Sequence, residues 1–247
     1  MFIKRPSQPG AAFAEAAGLS WLGEAGAPVA RVIEVSEGYL ATETIETVAP
    51  TPESAFEAGV ALAGIHALGA PGFGSPPAGW DGPNYIGTQV ELCIPRESWF
   101  DFYASQRVLF FVEKAVALGT LSLSDAQEVA CLMDELKAVD FPGEPARIHG
   151  DLWAGNLLFG KSGPVFIDPA AHGGHPVTDL AMLDLFGAPY LESIFSGYVS
   201  AGNAPAGWRE LIPLHQLHPL AVHAVTHGAG YGRELMRCAG RVRRALL

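Results

Sequence analysis

The spacing of apolar positions changes about a fifth of the way along the chain. Before residue 50 they alternate in short runs. Met1-Phe-Ile-Lys4 reads as the end of a strand carrying a lysine, and Val29 to Val35 with Tyr39 to Thr47, joined at Glu37-Gly38, reads as a β-hairpin. Between them Phe13, Ala16, Ala17, Leu19 and Leu22 fall at helical spacing over residues 13–24. After Pro50-Thr-Pro52 the helical period takes over. Glu53 to Leu68, Trp99 to Leu118 and Ser124 to Val139 predict helices, the last with Ser124 as its cap and a Gln three residues on. Residues 69–95 are rich in Pro and Gly and predict a long ordered loop, a kind of segment that usually serves function. Two apolar runs, Leu157-Leu-Phe and Val165-Phe-Ile, then flank a Gly-Lys-Ser-Gly-Pro turn as a second hairpin. Helices resume over Thr178 to Phe186 and continue to Leu247, and no internal repeat is evident. The expected organisation is α+β: a small β-rich lobe over residues 1–49, and a larger, mainly helical lobe over 50–247 that holds the hairpin region 147–169.

Composition narrows the class. With 49% hydrophobic and 17% charged residues in 247, the chain is globular and long enough for a large core. A net charge of -11 argues against nucleic acid or an anionic membrane as partner. Cys93, Cys131 and Cys238 are odd in number, far apart and without metal-ligand spacing, which fits a reducing cytoplasm. No apolar run is long enough to span a bilayer and no signal-like n-region precedes one, so a soluble protein is expected.

The candidate chemistry sits in His149-Gly-Asp-Leu-Trp-Ala-Gly-Asn156 and Asp168. The spacing H-x-D-L-x-x-x-N matches the catalytic loop of kinases, in which the Asp meets the acceptor hydroxyl and the Asn holds a metal. Here those residues are Asp151 and Asn156, and the hairpin between them and Asp168 carries a second carboxylate back beside the first. Phosphoryl transfer asks a protein mainly to position groups and neutralise phosphate charge. Asp168 and the Asn156 amide oxygen supply two hard ligands for Mg²⁺, with nucleotide phosphates completing its shell. Further upstream, Lys4 on its strand and Glu15 on the next helix could form the pair that orients a lysine toward the α and β phosphates, although each alone also reads as an ordinary solvated charge. Glu46, Thr47 and Val48 follow the second strand, where a kinase hinge would offer backbone groups to adenine.

The run 149–156, with Ile167-Asp-Pro-Ala170, His175-x-x-x-Asp179-Leu-Ala-Met182 and Leu185-Phe-Gly187, resembles the fructosamine kinase (ketosamine-3-kinase) family. Phe13-x-Glu-Ala-x-Gly-Leu19, Asn84-Tyr-Ile-Gly87, Trp99-x-x-Phe102 before Arg107, and Leu214-His-Gln-Leu217 to Gly228-x-Gly-Tyr231 extend the likeness over nearly the whole chain. The resemblance implies a protein-kinase-like two-lobe fold, shared with aminoglycoside phosphotransferases and choline kinases. It further implies ATP and Mg²⁺ as cofactors, and phosphorylation of a sugar hydroxyl on a small-molecule ketosamine or glycated amine, with deglycation as the purpose. Asp151 becomes the catalytic base, Asn156 and Asp168 the metal ligands, Lys4 the phosphate lysine and Glu15 its partner. Trp153 would line the sugar pocket or else plug the loop against the core. Asp179 would brace the catalytic loop through backbone N–H groups, or act as a plain helix N-terminal carboxylate. His149 is expected to hold the loop by hydrogen bonds. His175 is expected at the substrate, while His172, His215, His218, His223 and His227 are read as packing or substrate contacts because no HExxH accompanies them.

In one respect the sequence departs from that family. Kinases of this type place two strands and a glycine-rich turn ahead of the lysine strand, and Met1 stands three residues before Lys4. The expectation is a truncated lobe, or a start that lies upstream, with weakened hold on nucleotide and an open edge at Phe2 to Lys4 where another chain could pair. The oligomeric state stays open. Two alternatives remain: an aminoglycoside or choline-type phosphotransferase, which differs in the pocket, and a catalytically weak pseudokinase that only binds nucleotide.

Overall fold

The computed structural model describes residues 1–141, 143–202 and 204–247. Strand β1 (Phe2–Lys4) is followed by helix α1 (Ala11–Leu22) and by the hairpin β2 (Val32–Ser36) and β3 (Tyr39–Thr42). The three strands form an antiparallel sheet in the order β1-β3-β2, with Lys4 opposite Leu40. α1 packs on this sheet: Ala12, Ala16 and Leu40 share a small apolar cluster with Val32 and Val35. The second strand is shorter than its alternation suggests, ending at Thr42 as the chain turns away from the sheet.

The remainder is mainly helical. α2 (Pro52–Ala67) begins at a Thr51–Ser54 capping box with proline in its first turn. The Pro/Gly-rich stretch after it is more ordered than a loop, because it contains the hairpin β4 (Asn84–Ile86) and β5 (Gln89–Glu91). The predicted helix over 99–118 is continuous but changes pitch: α3 (Trp99–Phe102) passes through a π-helical stretch, Tyr103–Val108, into α4 (Leu109–Ala117). α5 (Leu123–Leu136) is capped two residues earlier than its sequence suggests. Ser122, not Ser124, is its cap, and Asp125 closes the capping box.

β6 (Ala146–Ile148) and β9 (His172–Gly174) pair antiparallel and enclose the hairpin β7 (Leu157–Gly160) and β8 (Gly163–Phe166). α6 (Val177–Phe186), α7 (Leu191–Ser200), α8 (Trp208–His227) and α9 (Ala229–Leu246) complete the chain. Two apolar cores divide the work. One gathers Trp99, Phe102, Phe111, Leu132, Leu217, Leu235 and Val242 from α3, α4, α5, α8 and α9. The other joins Trp21, Leu22, Leu62, Ile65, Leu180, Ile194 and Phe195 to Leu157, Phe159 and Phe166 of the β7–β8 hairpin.

That second core is what fixes the hairpin. α2 and α7 cross in close contact because Gly59 and Gly197 face the opposing backbones: a Cβ on Gly59 would lie 1.9 Å from the Ile194 carbonyl oxygen, and one on Gly197 2.0 Å from that of Phe56. The hairpin is also held from both edges by backbone bonds, Ala30 N–H to Phe166 O at 3.0 Å, Phe166 N–H to Pro28 O at 2.8 Å and Val48 N–H to Phe159 O at 2.8 Å. Arg147 of β6 donates to Gly69 O and Trp21 O at 2.9 Å each, which ties β6 to the ends of α1 and α2.

Candidate active site

The loop between β6 and β7 is shaped by a buried carboxylate. Asp179, fully buried in the first turn of α6, accepts the His149 N–H on Oδ2 at 2.7 Å and the Gly150 N–H on Oδ1 at 2.9 Å. His66 of α2 reaches the same Oδ2 at 3.0 Å through Nε2, while its Nδ1 lies 2.7 Å from the Tyr198 hydroxyl. Burial alone would raise the Asp179 pKa, but the His66 bond and charge, with the His149 contacts, carry it below its usual value. Tyr198 keeps its proton, since burial and the Asp179 charge push its pKa far up. The loop then turns through Gly150, whose φ of +81° and whose approach to Ala170 O, 2.2 Å from an added Cβ, leave no room for a side chain.

The turn delivers Asp151 to the cleft floor. Asn156, at the end of a short 3₁₀ turn (Ala154–Asn156), donates its amide to the Asp151 carbonyl at 2.7 Å and to Asp151 Oδ2 at 3.3 Å. Burial, then the negative field of Glu91, push the Asp151 pKa up to about 8. His149 stays out of the cleft. It is buried, with Nε2 2.8 Å from Ile167 O, and burial lowers its pKa.

After β8 the chain brings Asp168 back at φ +56°, a left-handed turn that faces its carboxylate to β1. Asp168 Oδ1 lies 3.0 Å from Lys4 Nζ, and Lys4 Nζ lies 2.8 Å from Glu15 Oε2. Burial works against the ammonium, yet the two carboxylates outweigh it and raise the Lys4 pKa. Glu15 is raised as well, by burial first and the neighbouring Asp168 charge, with Lys4 pulling the other way.

Two cavities meet at Asp151. The first, about 510 Å³, takes in Lys4, Glu15, Asn84, Tyr85, Asn156 and Asp168. The second, about 580 Å³, lies toward α6, α8 and α9 and takes in Thr88, Met182, Phe186, His223, His227 and Tyr231. Gly87, Asp151 and Trp153 line both. Trp153, 45% exposed, is therefore a partition of the cleft and not a plug in the core. A third, narrower cavity of about 140 Å³ runs behind Asp168 between Leu19, Ala30, Leu158 and Ile167 and the strand-exit residues Thr42 to Ile45.

Two expectations need correction. Glu46, Thr47 and Val48 do not line that narrow cavity: Glu46 pairs with Lys161, Thr47 bridges to Gly160, and the Val48 N–H is already given to Phe159 O. The chain leaves β3 at Thr42, so the stretch bordering the cavity comes earlier, at Thr42 to Ile45. His175 does not reach the cleft either. It is fully buried beside the rings of Trp99, centroids 5.0 Å apart, and His215, 4.9 Å apart, because the turn from β9 into α6 directs it into the helical core.

The other histidines separate into local pairs. His218 Nε2 lies 2.8 Å from the buried Glu91, which Arg107 also approaches at 3.7 Å, and His172 is held against Ala170 O at 2.9 Å. His223 and His227 stack at 4.7 Å on the wall of the second cavity. Among the described residues no group of three or more His, Cys, Asp or Glu side chains is placed to hold a metal ion. A divalent cation would thus depend on Asp168 and on the Asn156 amide, whose N–H groups are committed to Asp151 and leave Oδ1 as the donor. Two oxygens and an adjoining polar cavity suit Mg²⁺, which keeps its remaining positions for phosphate and water.

His66 and Tyr198 escaped the sequence reading. The signal for His66 was its place three and four residues after Ala63 and Leu62, a polar group on the apolar stripe of α2. Among the described residues no helix is long and apolar enough to cross a membrane.

The chain matches the family model described as fructosamine kinase over residues 2–244. A relative from Enterococcus faecium named "Probable ketoamine kinase" is 32% identical over 207 residues, 82% of this chain and 71% of that one. Another from Synechocystis, of the same printed name, is 30% identical over 84% of this chain and 68% of its own length. A crystal structure of a "putative fructosamine-3-kinase" from Thermobifida fusca superposes with a TM-score of 0.92 at 44% identity, covering 98% of this chain and 85% of that one. An aminoglycoside phosphotransferase in ternary complex with ADP and hygromycin B shares the fold alone, with a TM-score of 0.63 at 15% identity over 96% of this chain and 83% of that one.

Proposed function

Since this chain belongs to the fructosamine kinase family, we propose that it is an ATP-dependent kinase that phosphorylates a sugar hydroxyl of ketoamines, and that its purpose is deglycation. The observation that carries the reading is the position of Asp151, which lines the first cavity and the second at their seam. A base there can take the proton of an acceptor hydroxyl on one side while the γ-phosphorus of a nucleotide stands on the other. The new O–P bond forms as the bond from phosphorus to the ADP oxygen breaks. Its pKa near 8 makes Asp151 a stronger base than an exposed carboxylate.

The roles divide as follows. Lys4, oriented by Glu15, carries the positive charge for the phosphates, and Asp168 with Asn156 Oδ1 would hold Mg²⁺. That ion supplies charge neutralisation on the transferring phosphoryl group. The narrow cavity bordered by Thr42 to Ile45 suits a flat apolar base such as adenine. Asp179, His66 and His149 hold the loop, and Trp153 offers an indole face to the sugar. In this reading residues 1–49 form the nucleotide lobe and 50–247 the acceptor lobe. The same names on the relatives support a ketoamine as the acceptor. The test is ADP release over a panel of fructosylamines, aminoglycosides and choline, with the phosphate position located by NMR. Turnover confined to aminoglycosides or choline would overturn the acceptor assignment, and binding of ATP without turnover of any of them would leave a pseudokinase.

A further inference from the structure

The second cavity has a far wall that the phosphoryl-transfer chemistry leaves without a task. It is built where α8 runs into α9, from His223, Thr226, His227 and Tyr231, with Phe186 from the end of α6 beside them. Four rings form one cluster. The His223 centroid lies 4.7 Å from His227, 4.8 Å from Tyr231 and 4.9 Å from Phe186, and His227 lies 5.7 Å from Tyr231.

Hydrogen bonds behind the wall set which ring nitrogens carry protons. His223 Nδ1 lies 2.8 Å from the Pro219 carbonyl, which can only accept, so Nδ1 is the protonated nitrogen. Thr226 gives its one hydroxyl proton to Val222 O at 3.0 Å, so at 2.7 Å from His227 Nδ1 it must accept. In the neutral form of each ring these bonds put the proton on Nδ1 and leave Nε2 as an acceptor. Burial lowers the His223 pKa and favours its neutral form. Among the described residues that line this cavity, Asp151 is the one carboxylate, and no lysine or arginine joins it.

We propose that this four-ring wall is the subsite for the amine half of the acceptor, and that it selects amine-linked ketoses carrying one positive charge and an apolar or aromatic amine substituent. A secondary ammonium brings two N–H donors and a cation, which match two Nε2 lone pairs and a set of ring faces. The substituent beyond it lies on Phe186 and Tyr231. A polycation fits badly, because ammonium groups after the first would lose water with no carboxylate to receive them. The proposal rests on the ketoamine kinase reading above.

Steady-state kinetics would be measured with D-fructose, 1-deoxy-1-(methylamino)-D-fructose, 1-deoxy-1-(benzylamino)-D-fructose and kanamycin. The expected order of kcat/KM for the wild type is benzylamino above methylamino above fructose, with kanamycin not used. His227→Leu and Tyr231→Leu should each lower the kcat/KM of the benzylamino ketose by about tenfold more than that of fructose, mostly through KM, as loss of a ring-cation contact predicts. Tyr231→Phe, which keeps the ring, should restore the preference, and His227→Phe should restore it less, because it lacks the Nε2 acceptor. Fructose turnover reports that each variant is folded. Equal losses on fructose and on the benzylamino ketose, or no loss on either, would overturn the subsite while leaving the kinase reading intact. Phosphorylation of kanamycin with no ketose accepted would overturn both.

Discussion

Asp179 Oδ2 and the Nε2 of His66 lie 3.0 Å apart although 113 residues separate them, and both side chains are buried. The contact links α2 to the loop that carries Asp151, since the same carboxylate accepts the His149 and Gly150 N–H groups. Replacing Asp179 by Asn keeps the shape but gives up one acceptor oxygen and the charge. Hydrogen bonds to charged groups are worth about 1.5–3 kcal/mol each. Asp179→Asn should therefore destabilise the protein by about 2–4 kcal/mol in denaturant titrations and lower kcat as the loop loosens. An unfolding midpoint equal to the wild type would remove Asp179 as the brace.

For Asp151→Asn the expected loss is in turnover, by at least about two orders of magnitude, with nucleotide affinity near normal, because a general base acts on the transition state more than on the ground state. The wild type should also show a rising limb in the pH profile of kcat/KM. As the proposed base Asp151 would work unprotonated, and its pKa is pushed up to about 8, so activity should fall as pH drops below about 8 and level off above it. Wild-type turnover in the variant, or a flat profile from pH 6 to 9, would take Asp151 out of the proton transfer.

Asp168→Ala tests the other end of the hairpin. This carboxylate is the proposed companion of Asn156 Oδ1 in holding Mg²⁺, and it also lies 3.0 Å from Lys4 Nζ. Its loss should abolish the Mg²⁺ dependence of nucleotide binding in calorimetry. Asn156→Ala should weaken that dependence and also lower kcat, since the Asn156 amide holds the Asp151 backbone at 2.7 Å. An unchanged Mg²⁺ response in both variants would exclude the pair as ligands.

The β7–β8 hairpin could be read from the chain because its residues are local: the loop from His149 leads straight into two short strands whose periods and turn residues are visible, and Asp168 follows them. Lys4 and Glu15 were legible for a similar reason, as a strand and the next helix. The partners across the fold were not. Asp179 was expected at this loop from the family likeness, and it accepts the His149 and Gly150 N–H groups there, but nothing in the spacing of His66 and Tyr198 announces that α2 and α7 converge on the same carboxylate. Glu46 to Val48 fall beyond the narrow cavity because β3 does not run on to Thr47. The chain instead leaves the sheet at Thr42 and is captured by the β7–β8 hairpin through Val48 N–H. For His175 the likeness of the His175-x-x-x-Asp179 run to the family did not fix the direction of its side chain. Ring packing against Trp99 decided that.

The buried pair Glu91 and Arg107 gives a prediction about acid stability. Glu91 closes β5, the strand that holds the Gly87–Thr88 turn over both cavities, and lies 3.7 Å from Arg107 Nε in the π-helical stretch. Burial alone would raise the Glu91 pKa, but the charges of Arg107 and then His218 lower it to about 2. A carboxylate depressed on folding contributes stability that is complete above its unfolded pKa, about 4.3, and is lost as pH falls toward the folded value. The shift corresponds to about 3 kcal/mol at neutral pH, shed between about pH 4.5 and pH 2. Glu91→Gln should therefore be destabilised at pH 7, by roughly 3–5 kcal/mol because Arg107 is left buried without its counter-charge. The difference from the wild type should shrink as pH is lowered through that window. Groups remote from the pair titrate equally in both proteins and cancel, whereas His218, 2.8 Å from Glu91, loses its carboxylate partner in the variant and adds its own change as it titrates. Arg107→Met added to Glu91→Gln should recover much of the loss at pH 7, because the unpaired charge is then gone. Urea unfolding of the wild type and the two variants at pH 7, 5, 4 and 3 measures this directly. A wild-type to Glu91→Gln difference that stays constant from pH 7 to pH 3 would mean that Glu91 is not ionised in the folded protein.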